Sequence, residues 1–77
     1  MDYSTLDVVV LARDLPEHGL RAGDLSTVVE LLPPSDLEVE FVTAGGRTQA
    51  LVTLATADVR KATDSDLPAV RRLDKSA

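Results

Sequence analysis

Residues 37–42 carry the clearest pattern in the chain. Leu37, Val39 and Phe41 fall on one side of an extended backbone, and Glu38 and Glu40 on the other. A period of two with one apolar face marks a half-buried antiparallel strand. Residues 7–11 place three consecutive valines before Leu11. Side chains branched at Cβ lose rotamer freedom in a helix and pack well on a pleated surface, so this segment reads as a strand. Residues 25–32 read as another. Residues 48–54 carry Ala50, Val52 and Leu54 on one face, and Val59–Lys61 is a short fifth strand. The connections are equally marked. Residues 12–24 hold Pro16, Gly19 and Gly23 among charged side chains, which predicts a long loop with at least two turns. Pro33 and Pro34 cannot donate to a ladder, so residues 33–36 predict a turn. Residues 43–47, with Gly45 and Gly46, predict a hairpin loop.

Five short strands joined mostly by hairpins predict an all-β fold. At this size closure into a barrel removes exposed edges, so the expectation is a five-stranded SH3-like barrel over residues 1–61. An oligonucleotide-binding-type barrel is the nearest rival. It usually has a helix between its third and fourth strands, and residues 43–48 are too short and glycine-rich for one. Residues 62–77 break with the pattern. Ser65 is placed to cap a short helix in which Leu67, Val70 and Leu73 form a narrow stripe, with Pro68 in the first turn. So short a helix is marginal alone. The expectation is a C-terminal tail that is flexible or briefly helical.

Composition narrows the functional classes. A chain of 77 residues is one domain, and by surface scaling it buries only about 62% of the surface its unfolded form exposes. Stability is expected at roughly 4–8 kcal/mol. Cysteine is absent and His18 is the single histidine. That removes thiolate chemistry, disulfides and the usual Ser-His pairings, and no metal site or cofactor is expected. One Tyr, one Phe and no Trp leave little to stack on bases. The net charge is −5. Residues 1–59 hold three arginines against ten acids, whereas residues 60–77 hold five basic residues against three acids. An acidic body repels phosphate, so nucleic acid is disfavoured; the charge suits a basic protein partner, and it also simply keeps a small protein soluble. The cluster Arg60, Lys61, Arg71 and Arg72, without aromatics, predicts at best weak, salt-sensitive contact with nucleic acid. No apolar run approaches the roughly 18 residues of a membrane span. The chain is expected to be soluble and cytoplasmic, and an unpaired edge strand would offer a route to a homodimer.

Nothing in the sequence assembles a catalytic constellation, so no enzyme activity is expected. The candidate partner-binding residues are Asp14, Glu17, His18 and Arg21 in the long loop, with Glu38 and Glu40 on the exposed strand face. Loops held on a rigid scaffold commonly carry recognition. The bland alternative is structural. Leu15 and Leu20 then plug the end of the barrel, the glycines make turns and Asp24 accepts backbone hydrogen bonds. For Glu30, Glu38 and Glu40 the bland role is to keep the sheet soluble.

Two stretches carry a family resemblance: VVVLARDLPEHGLRAGDLSTVVE at residues 8–30, and VEFVTAGGRTQALVTLATADVR at residues 39–60. The positions that carry it are Leu15, Pro16, Gly19, Leu20, Gly23, Asp24, Ser26 to Glu30, Glu38 to Phe41, Gly46 to Thr48, Thr53 and Leu54. In these residues the chain resembles the small bacterial proteins of domain-of-unknown-function family 4926. The resemblance implies an SH3-like barrel. It also implies a non-catalytic protein, since some members look like the small partner of a neighbouring gene, as an antitoxin beside a toxin. It defines no site residues. Ser26 stands where the resemblance leads one to expect glycine, so a close backbone approach or bulge there is expected to be altered.

Overall fold

The computed structural model describes residues 1–73. The strands are β1 (Val8–Leu11), β2 (Leu25–Leu32), β3 (Asp36–Val42), β4 (Thr48–Ala55) and β5 (Val59–Lys61). They form one antiparallel sheet in the order β4-β3-β2-β1-β5. Two single 3-10 turns, Pro16–His18 and Thr56–Asp58, are the only helical turns among the described residues. The all-β class and all five strands agree with the sequence pattern.

Closure does not follow. β4 and β5 lie at opposite edges and do not pair, so the sheet is open rather than a closed barrel. β5 has three residues, which pair with Val9, Val10 and Leu11 of β1 and leave its other edge without a strand neighbour among the described residues. Of the two forms expected for the tail, flexible or briefly helical, the helical one does not occur in residues 62–73. The Asp66 carboxylate is committed elsewhere. It accepts from the Thr63 amide at 2.7 Å and takes a bidentate grip from Arg60. Leu67 and Val70 are 91% and 95% exposed, so the apolar stripe gains nothing from the sheet. Residues 74–77, the end of the expected tail, lie outside the described residues.

The inner face of the sheet holds the core. Val9, Leu11, Val28, Leu37, Val39, Phe41, Leu54 and Val59 converge there. Leu15 and Leu20, bridged to each other across the long loop, close its end. That loop turns at Gly19 and Gly23, whose φ values of 69° and 98° favour glycine. A register shift between Val28 and Glu30 inserts Val29 as an extra residue in β2. Strict alternation would send Val28 and Leu31 to opposite faces. The bulge turns both toward the core, with Val28 fully buried and Leu31 packed against it. Pairing of β1 with β2 runs through Ser26 opposite Val9 in the same register as its neighbours, Val8↔Thr27 and Val10↔Leu25. No bulge interrupts the ladder at Ser26. What remains is a buried Ser26 hydroxyl with no hydrogen-bond partner.

Candidate functional site

The outer face of the sheet is the part of the molecule that is not sealed. Alternation along β3 sends Glu38, Glu40 and Val42 to it, opposite to the buried Leu37, Val39 and Phe41. Cross-strand partners extend each row. Glu38 lies between Glu30 of β2 and Thr53 of β4, and Glu40 lies between Thr27 and Leu51. The Thr48 hydroxyl donates to Glu40 Oε2 at 2.6 Å. Glu30 and Glu38 therefore stand directly opposite one another, an arrangement that destabilises a sheet. Among the described residues no ion pair reaches Glu30, Glu38 or Glu40. Around them Val8, Leu25, Val42 and Leu51 are between 40% and 56% exposed. The face is thus apolar and acidic together.

Residues 62–73 form a strap over the β5-β1-β2 end of this face. Among the described residues, two ion pairs pin it. Arg60 grips Asp66 through both guanidinium nitrogens, at 2.7 and 2.9 Å. Arg71 donates to Asp24 at 2.6 and 3.0 Å and to the Gly19 carbonyl at 3.0 Å. Burial pushes the Asp24 carboxyl up. The Arg71 hydrogen bond, the Arg21 amide and the nearby guanidinium charges outweigh that and hold it below its ordinary value. Asp66 is held far below its ordinary value, first by Arg60 and then by the Thr63 amide. In turn Asp66 raises Arg60, as the hydrogen bond to Asp58 raises Arg13. Strap and sheet line an open groove of about 880 Å³, with Val8, Val10 and Leu25 on its floor. Val10, at 6% exposure, is buried outside the core cluster on this face.

The six residues marked by the sequence fall into two groups. Asp14 accepts the Ala22 amide at 2.8 Å, and so holds the long loop together. Glu17 and His18 sit in the exposed 3-10 turn, and the His18 carbonyl accepts from Gln49. Arg21 is exposed, and its amide donates to Asp24. Glu38 and Glu40 lie on the outer face, and no hydrogen bond or ion pair among the described residues joins them to the loop four. The sequence missed the strap anchors. Arg71 and Asp24 are 47 positions apart, so no local signal links them. The supposed basic cluster is divided, since Arg60 and Arg71 each answer a carboxylate. No group of three or more potential metal ligands occurs among the described residues. No helix there is long and apolar enough to cross a membrane.

A single open antiparallel sheet with one sealed face and one acidic, partly apolar face defines a small all-β domain. The family described as Domain of unknown function (DUF4926) matches residues 5–61, from the turn before β1 to the end of β5. The chain belongs to that family. No curated protein and no solved structure matches it.

Proposed function

We propose that this protein is a non-catalytic protein-interaction module of the bacterial cytoplasm, antitoxin-like in role, that receives a basic toxin or nuclease on the outer face of its sheet. The Glu30–Glu38 pair carries the reading. Like charges directly opposite across two strands cost roughly 0.2–1 kcal/mol relative to a neutral pair. A sheet that needed only solubility would gain as much from alternating signs. A cationic partner reverses the sign of this term, because each carboxylate then meets a positive group. The exposed Val8, Leu25, Val42 and Leu51 supply the apolar area that a docked partner covers. Arg60 and Arg71 are engaged with carboxylates, which argues against phosphate as the ligand.

The test is co-purification with the product of the neighbouring gene at low and high salt, for the wild-type chain and for the double variant E38A/E40A. Rim charges act mainly through association rate and salt dependence. The wild-type complex should weaken as salt rises, and the double variant should bind more weakly with a flatter salt response. Unchanged, salt-independent binding of E38A/E40A would show that the acidic face is not the docking surface.

A further inference from the structure

We infer that β4 is a self-pairing edge, through which two copies of this chain join their sheets about a two-fold axis at Leu51. Sheet edges display unpaired N–H and C=O groups, and proteins normally protect them with short length, lysine, proline or an inward charge. The two edges of this sheet differ in that respect. β5 has three residues, two of them Arg60 and Lys61. β4 is an eight-residue run, TQALVTLA, with no charge, no proline and no glycine. Among the described residues β3 is its only strand neighbour.

A second copy fits this edge better than a foreign strand of defined charge. A neutral edge offers nothing to select such a strand, whereas an antiparallel edge is complementary to itself under a two-fold axis. Two-fold pairing must set residues of the same face opposite each other, so the axis passes through a residue and not between two. With the axis at Leu51, that side chain, 56% exposed, meets its own copy on the outer face. Ala50 then meets Val52 of the second copy on the inner face. Both are half-buried and already pack against the core, so the pairing extends the core across the junction. The net charge of −5 does not forbid the contact. Glu40 lies next to Leu51 on β3. The two Glu40 side chains are therefore three strand spacings apart, about 14 Å. That exceeds the screening length of about 8 Å at physiological salt.

The experiment uses the purified full chain alone, so its outcome is independent of any basic partner. Sedimentation at micromolar concentration should give twice the 8.2 kDa chain mass, with little dependence on salt. L51K, a change at an exposed side chain, should return the mass to that of one chain while the far-ultraviolet circular dichroism stays that of a folded sheet. Register is read by cysteine bridging, for which the chain is suited because it has no cysteine of its own. Directly opposed residues have Cα atoms about 4.5–5.5 Å apart, within the range of a disulfide. L51C should therefore bridge to a covalent dimer under mild oxidation. The two Thr53 positions would be four residues out of step, about 14 Å along the strands, so T53C should not bridge. A wild-type mass of one chain overturns the inference. So does a dimer that L51K leaves intact, or one in which T53C bridges as readily as L51C.

Discussion

Replacing Ser26 with alanine should stabilise the protein. Ser26 lies in β2 directly opposite Val9, is 5% exposed, and its Oγ has no hydrogen-bond partner. In the unfolded chain that hydroxyl is solvated by water. Folding strips the water away, and a buried unsatisfied polar group costs about 1–3 kcal/mol. Alanine keeps the Cβ and removes only the oxygen. The loss is a handful of dispersion contacts at about 0.1–0.2 kcal/mol each. The balance favours S26A by about 1 kcal/mol. In a domain of this size that corresponds to a rise in Tm of about 4–8 °C. Glycine removes the oxygen as well, but a glycine inside a strand costs about 0.5–1 kcal/mol relative to alanine. S26G should therefore fall between wild type and S26A or near wild type. Urea unfolding followed by far-ultraviolet circular dichroism suits a chain without tryptophan. The midpoint should move up with the slope unchanged, which reports stability and not a change in the unfolded ensemble. A lower midpoint for S26A would refute the reasoning, because it would mean the hydroxyl makes a hydrogen bond that holds β2 in place.

Two further predictions concern the core and the strap. Leu37 is fully buried on the inner face, opposite Leu31 and Leu54. L37A should cost about 2–5 kcal/mol, so its thermal melt should lie well below that of the wild type, and an unchanged midpoint would contradict the core assignment. Asp24 and Asp66 are both held below the ordinary carboxylate value of 3.8. A depressed folded value means that the stabilisation is present above the unfolded value and lost as pH falls through the folded one. The strap should therefore stay pinned at neutral pH and release only below about pH 4. The Arg21 and Thr63 amides donate to these carboxylates, so their NMR shifts should report it. Movement of either shift near neutral pH would contradict the assignment.

Much of the sheet was legible in local pattern. The alternation of residues 37–42 set which side of β3 is buried. The Val8, Val9 and Val10 run and the Leu31-Leu32-Pro33-Pro34 boundary marked strands and a turn close to where they occur. The loop residues Leu15, Leu20 and Asp24 took the structural roles their types imply, two apolar plugs and an acceptor of the Arg21 amide. The Val29 bulge was not legible. A continuous apolar run gives no sign of where one residue is doubled against its partner, and only Leu37 and Val39 on the facing strand impose it. The strap's anchoring was not legible either, because the Arg60–Asp66 and Arg71–Asp24 pairs join residues that no local spacing connects.

The residues by themselves determined which segments are extended, which face of each is apolar, and where the chain turns. Those follow from side-chain branching, the two-residue repeat and proline's missing N–H, all of which act over a few positions. Tertiary structure alone decided that β5 pairs with β1 and leaves β4 open. It alone set Glu30 against Glu38, sent Arg71 to Asp24 and left the Ser26 hydroxyl without a partner. Each of these depends on segments far apart in the chain meeting at one register. That register is chosen by the packing of the whole inner face and leaves no mark on any single stretch of sequence.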